Sequence, residues 1–460
     1  METVHLRAFL IPLILVAILF SGLALAEMPP VASCKIQAAN FEGWKAQRIS
    51  NQWVTVTVVP QLGGRVMQIT FGNHTYLFVN SQLKGKYFPP SEGTASGKWF
   101  NYGGDKIWPL PEGTGDAQHW PGPISDLLDD GDYGFKVLSQ DAVCTVRLEG
   151  PADPRTGLQY SREISLGSDS PEISFHAVMK NATDHPIRWS MQSVTQYDTA
   201  SADSPNTYNR DFWAFAPMNP NSAYNDGYRV RLGLSNDPAY SVKDGLFALH
   251  WLYFEREVWL DSASGWLAVF DGSAHYAIVE RFPHHEAEYP GKATIIFYTN
   301  GPAVEFDDNG MPFLTSSNPA ETPYYMEAEV NSPMAELKPG ETYAMDTKWF
   351  PTRIGGHPQS VTEAGVTSRL IVSKTGNSLL LSGSFGVFFP GSLAAYLFDI
   401  RDVKTGVVPL QSVSPLDIVD VHKEIPASPS IARISIHLVD EQGMDRGSLA
   451  EASIKVDRAP

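Results

Sequence analysis

The chain has 460 residues, 43% apolar, 11% aromatic and 18% charged, which excludes intrinsic disorder and leaves room for more than one folded unit. Acidic residues number 51 against 34 basic ones, a net charge of −17. That argues against nucleic acid or an anionic membrane surface as partner, but not against neutral ligands such as sugars. Two cysteines exclude a disulfide-rich scaffold and a cysteine zinc cluster.

The first segment reads as an address. An apolar run over 9–19 follows Arg7 and closes on Ala24-Leu25-Ala26, the small-x-small pattern of a signal peptidase site. Residues 1–26 are therefore expected to be a signal peptide, with a periplasmic or secreted product and no membrane attachment after cleavage. Two alternatives stay open: an uncleaved anchor over 9–26, and a lipoprotein box at Val31-Ala32-Ser33-Cys34. In an oxidising compartment Cys34 and Cys144 either pair or remain buried thiols. Asn73-His74-Thr75 and Asn181-Ala182-Thr183 are glycosylation sequons only in a eukaryotic secretory pathway.

From there the pattern is β. Val54, Val56 and Val58 alternate with threonines, and similar period-two runs occur at 143–148, 172–179, 266–270, 276–279, 294–298, 324–330 and 343–349. Gly, Pro, Asn and Asp punctuate them. Many short strands at close spacing predict an all-β sandwich or barrel. All 11 tryptophans lie between Trp44 and Trp349. Residues 351–356 read as a linker between an aromatic-rich domain (27–352) and a small immunoglobulin-like β-sandwich (353–460). Strand-like runs in the latter are 368–372, 378–382, 395–400, 432–438 and 453–456.

Three segments carry candidate chemistry. Pro60-Gln61-Leu62-Gly63-Gly64-Arg65-Val66 is a tight turn after a strand, and it aims Arg65 at a ligand or leaves it exposed on a hairpin. Asn101-Tyr102-Gly103-Gly104-Asp105-Lys106-Ile107-Trp108 continues to His119-Trp120-Pro121. It offers Trp108 and Trp120 as stacking faces for a sugar, with Asn101, Tyr102, Asp105 and Lys106 for its hydroxyls, unless the tryptophans are core. In Tyr325-Met326-Glu327-Ala328-Glu329 the two glutamates stand two apart and share one face of a strand. They are candidate catalytic residues: crowding would raise at least one pKa, as suits a general base. His284-His285-Glu286 suggests metal only if all three converge on a loop, since strand neighbours face opposite ways. Asp307-Asp308-Asn309-Gly310 reads as a solvated turn. No metal and no cofactor is expected, because P-loop, dinucleotide, zinc-protease and serine-hydrolase motifs are absent.

The order of these segments, closing on Leu337-Lys338-Pro339-Gly340-Glu341-Thr342-Tyr343, resembles the galactose mutarotase-like (aldose 1-epimerase) superfamily over about 35–350, and most closely an uncharacterised exported bacterial branch. The resemblance implies an antiparallel β-supersandwich with a sugar cleft, and Glu327 as the base. It also exposes departures. Tyr102 stands where the family has a sugar-binding histidine. Val194, flanked by Gln192 and Gln196, stands where the family has the histidine acid. A missing general acid costs roughly 10²–10⁴ in rate. The expectation is an exported carbohydrate-binding protein without standard mutarotase catalysis, with Gln192 and Gln196 on the cleft floor. The alternative is a sugar epimerase or lyase-like enzyme using Glu327 as base, with Lys106, Tyr102 or Glu329 as acid.

Overall fold

In the computed structural model, residues 33–113, 115–116 and 118–454 are described; the segment read as a signal peptide lies outside them. Among the described residues the architecture is all-β, with two large antiparallel sheets of 12 and 10 strands. The main path of the first runs, from one edge, through Lys35–Phe41, Trp44–Ser50, Val54–Val59, Arg65–Phe71, Asp105–Leu110, Ile187–Asp198, Tyr325–Asn331, Ile295–Thr299, Arg256–Leu260 and Arg229–Leu232. Buried residues from both sheets form one continuous core.

Burial patterns show how the sheets are used. Leu158–Gly167, in the 10-stranded sheet, alternates buried and half-buried residues without a break, as expected of a sheet with one covered face. Tyr325–Asn331 is buried at every position. Its apolar residues Met326, Ala328 and Val330 enter the core, so Glu327 and Glu329 lie on the opposite face, which must also be covered.

Polar bridges cross the core between the sheets. Asp105 pairs with Arg162 and accepts from Ser193 Oγ at 3.2 Å and Thr195 Oγ1 at 3.0 Å. The Tyr197 hydroxyl donates to Glu280 Oε1 at 2.5 Å. Burial, with the nearby charge of Asp105, pushes the Glu280 carboxyl up to about 8, against the opposing effects of Tyr197 and Arg162. A carboxyl raised in this way keeps its proton in the folded chain after the unfolded chain has lost it. Its contribution therefore falls as pH rises from about 4.5 towards 8. Glu280→Gln is expected to stabilise the protein by roughly 1–3 kcal/mol at pH 8 and by little at pH 4.5. Urea unfolding at the two pH values checks this; an equal change at both would refute it.

Cys34 and Cys144 form a disulfide, which joins the start of the first edge strand to Val143–Ala152 of the other sheet. The Cys34 sulfur is thereby committed, leaving none for a thioether-linked lipid.

The stretch 351–356 is not a free linker. Strand Thr342–Arg353 runs through its first half, with Pro351 opposite Ile278 and Arg353 opposite Tyr276, and Ile354 is fully buried. Beyond it two four-stranded sheets enclose a second core. That small sandwich is cemented to the large one by an apolar cluster in which Phe350 stacks on Phe388 at 4.3 Å. Two strands there escaped the sequence reading, Lys404–Val413 and Val419–Pro426; the last strand among the described residues is Asp445–Ser453, and the second half of the expected run 453–456 lies outside them. Polar and charged residues on their outer faces broke up the apolar alternation.

Two motifs prove structural. Asp307 caps its own turn through the N–H groups of Asn309 and Met311. Asn181 is fully buried, and its amide donates to the carbonyls of His185 and Leu337, so it is closed to glycosylation. His284 stacks on Tyr289. Among the described residues no group of His, Cys, Asp or Glu converges where a metal ion could sit, and no helix is long and apolar enough to cross a membrane.

Candidate functional site

Residues directly opposite one another in an antiparallel sheet share a face, and register therefore assembles the site. Gln196 lies opposite Glu327, Glu327 opposite Tyr298, and Tyr298 opposite Glu257. One step along, Lys106, Val194, Glu329, Ile296 and Trp259 form a second row. A third is Trp108, Gln192 and Asn331. These rows lie under a cavity of about 430 Å³ walled also by Trp99, Glu112, Arg231, Glu255 and Tyr325. Glu327 and Trp108 thus wall one cavity.

The glutamates are held by the amides beside them. Gln196 Nε2 donates to Glu327 Oε1 at 2.6 Å, and Gln192 Nε2 donates to Glu329. Lys106 Nζ lies 3.7 Å from Glu327 Oε1 and 4.3 Å from the centre of the Trp108 ring. Burial lowers the Lys106 pKa, against the pull of Glu327. Burial, reinforced by Glu327, Glu257 and Glu112, raises Glu329 well above the ordinary carboxylate range. Glu112, walled by protein yet reached by solvent, is pushed up to about 7 by desolvation and by the charges of Glu257 and Glu327, with Arg231 opposing. Glu257 is raised as well, first by burial. The cavity therefore holds several carboxyls of graded proton affinity beside one buried amine. Such groups can accept hydrogen bonds, hold a cation, or pass a proton.

Several residues expected at the ligand stand behind the wall. Arg65 is fully buried; its guanidinium lies 2.8 Å from Asp129 Oδ1 and 2.9 Å from Asp130 Oδ1 and donates to the Gly103 carbonyl. Burial alone would lower its pKa, and the two carboxylates more than reverse that. Asp129 in turn accepts the indole N–H of Trp108 at 2.7 Å and of Trp99 at 2.9 Å. Arg65 is thus a positioning residue for the tryptophan wall. Asp105 points the other way from Lys106, into the inter-sheet core. Tyr102 is fully buried, its hydroxyl accepting the Phe88 N–H. Asn101 is half-buried outside the cavity lining, its Oδ1 accepting the Gly103 N–H at 3.1 Å. Trp120 is fully buried, packed on Trp108 and donating to Asp126 Oδ2 at 2.8 Å, so it offers no stacking face. Gln196 is buried beneath Glu327, and Gln192 reaches the cavity. The paired glycines serve packing rather than ligand approach: a Cβ on Gly63 would lie 1.8 Å from the Asp129 carbonyl, and one on Gly103 2.1 Å from that of Phe78.

Of the three tryptophans that line the cavity, Trp99 and Trp259 are half-buried and Trp108 is only 4% exposed; Arg229 sits 5.3 Å over the Trp259 ring and Lys106 5.4 Å over that of Trp99. Trp259 sits on Arg256–Leu260, where Glu257 and Trp259 face one way and Val258 the core. That alternation was legible in the sequence. Its pairing with the Glu327 strand through Ile295–Thr299 was not. The short helix Leu127–Asp130, capped by Asp126 through the N–H groups of Leu128 and Asp129, also escaped notice, and with it the carboxylates that hold Arg65.

No family model and no curated protein matches the sequence. Solved structures similar to the chain include galactose mutarotase-like proteins, the family its motif order resembles. One is from Clostridium acetobutylicum (12% identity, 70% of this chain and 99% of that one, TM-score 0.43). Another is from Lactobacillus casei (12% identity, 66% and 99%, TM-score 0.40). A TPR-domain containing protein from Parabacteroides distasonis is similar over 69% of this chain (16% identity, TM-score 0.44); the chain spans about half, 48%, of that protein's length. At these identities the likeness concerns fold alone.

Proposed function

We propose that the protein is an exported saccharide-binding protein whose ligand occupies the cavity over the Glu327 strand. One observation carries the reading: a cavity large enough for a small sugar joins aromatic faces from Trp99 and Trp259 to hydrogen-bonding groups from Glu327, Glu329, Gln192 and Asn331. Sugars need both, an apolar ring face to stack on and oriented polar groups for the hydroxyls. Export rests on the apolar start of the sequence, and the Cys34–Cys144 bridge supports it, since such bonds persist in oxidising compartments. The net charge of −17 disfavours nucleic acid and anionic membrane as partners.

A glycan-panel screen followed by titration tests the reading. Trp259→Ala is expected to weaken binding about tenfold, on the order of 1.4 kcal/mol, with folding intact. Trp120→Ala is expected to destabilise the fold instead. Unchanged affinity in Trp259→Ala would remove the stacking wall.

A second reading is favoured by the Glu327–Lys106 approach of 3.7 Å. Lys106 stands directly across the strands from Val194, the position at which the resembled family has its acid. A carboxylate and an amine so placed can relay a proton to and from a bound sugar. Tyr102, fully buried and outside the cavity lining, is not a partner for such a step. Anomer exchange of a bound sugar, followed by NMR and abolished by Glu327→Gln, would establish catalysis; exchange at the background rate leaves binding alone.

A further inference from the structure

We propose that the saccharide taken by this protein is acidic: its ring lies in the cavity, and its carboxylate or sulfate group sits on Arg231 at the rim, beside Arg229 and Lys292. The proposal rests on the saccharide reading above and names the class of ligand.

The rim is built by the last strand of the sheet. Arg229–Leu232 is an edge strand. In it Arg229 lies opposite Trp259 and Leu232 opposite Glu257, with a bulge between Val230 and Leu232. A bulge re-aims a side chain, and here the extra residue, Arg231, lines the cavity. Arg229 lies over the Trp259 ring at 5.3 Å. The turn Pro290–Lys292 comes against the same ring: a Cβ on Gly291 would lie 2.1 Å from it, which places Lys292 one residue from that contact. Three exposed positive side chains therefore gather at one end of the cavity.

None of the three has an ion pair or a side-chain hydrogen bond among the described residues. The carboxylates further in are differently placed. Glu327 faces Lys106 at 3.7 Å and accepts from Gln196, Glu329 accepts from Gln192, and Glu255 accepts the Tyr298 hydroxyl. Glu257 accepts the Trp259 indole N–H at 2.5 Å. Glu257 and Glu112 are near enough to feel the charge of Arg231, but neither closes on it to form an ion pair. A guanidinium offers a fork of N–H donors. A hydroxyl meets one arm of it, whereas a carboxylate or sulfate meets both and brings the opposite charge. The arrangement thus orients the ligand, with hydroxyls towards the acceptors of the floor and the acid group outward at the arginines. An ammonium at this end would meet three like charges instead. The net charge of −17 repels an anion at long range, so the attraction must be local.

The test is titration near neutral pH in about 0.1 M salt, where charges more than about 10 Å away are largely screened. The probes are methyl glycosides of glucuronate and galacturonate, their uncharged uronamides, glucose and galactose, the 6-sulfates of both, and glucosamine. Uronates or 6-sulfates are expected to bind about tenfold more tightly than the uronamides and neutral sugars, and the acid preferred identifies the substituent. That preference should fall to within about threefold in Arg231→Gln. It should persist in Lys374→Gln, which removes one exposed charge from the small sandwich. Equal binding of acids and uronamides, or tighter binding of glucosamine, would overturn the proposal while leaving saccharide binding in place. A preference that survives Arg231→Gln, or is lost equally in Lys374→Gln, would overturn the assigned seat. Inorganic sulfate or acetate binding as tightly as the sugar acids would overturn the sugar part. No binding by any glycoside would overturn this proposal and the saccharide reading together.

Discussion

Replacing Arg65 by methionine is expected to cost about 3–5 kcal/mol of stability, because it strands two buried carboxylates. Asp129 and Asp130 meet the guanidinium at 2.8 and 2.9 Å with no side-chain exposure on either partner. Asp130 is already pushed up to about 8 by burial and by Asp129, and Arg65 is the charge that opposes this. Without it, both carboxyls must take up protons or water must enter. The loss should therefore be larger at pH 8 than at pH 5.5, where protonation relieves it. Arg65→Lys should recover part of the stability, since one ammonium replaces a forked guanidinium. Because Asp129 also holds the indoles of Trp99 and Trp108, intrinsic tryptophan fluorescence should change in the folded variant. Denaturant unfolding at the two pH values is the check; a loss below about 1 kcal/mol at pH 8 would show that the pair is not the anchor of the wall.

Removing the Cys34–Cys144 bridge is expected to rank second. The bonded residues are 110 apart in sequence, and in the chain-entropy account a loop of that order adds about 4.7 kcal/mol, with measured effects more often about 2–4. The bond also ties an edge strand of one sheet to the other sheet, so its loss should loosen Lys35–Phe41 before the cavity. The double variant Cys34→Ala/Cys144→Ala should unfold at lower urea than the parent, and a thiol reductant should bring the parent down to the same midpoint without moving the variant. A parent insensitive to reductant after unfolding and refolding would contradict the assignment. Glycan binding by the folded double variant should be unchanged, because the cavity lies on the other side of the first sheet's centre.

These two sites mark the boundary of what the chain alone could tell. Local pattern was enough for the strands: period-two alternation of β-branched and aromatic residues placed Val54–Val59, Trp266–Asp271 and Tyr325–Asn331 where the structure has them. The period of two also put Glu327 and Glu329 on one face, which is covered by the cavity. It failed where outer faces are charged, as in Lys404–Val413, and where four residues make a helix held by a cap rather than by any period.

The amino-acid sequence by itself determined the all-β class, the shared face of the two glutamates and the identity of the Glu327 strand as polar wall. Only the tertiary structure decided that Arg65, Tyr102, Asp105 and Trp120 stand behind that wall while Trp259, Glu257 and Glu112 stand on it. The physical reason is that the direction of a side chain follows from local pleat, which two or three neighbouring residues reveal. Whether that direction meets solvent, core or cavity depends on which distant strand lies alongside, and strand pairing across more than a hundred residues leaves no mark in a local pattern.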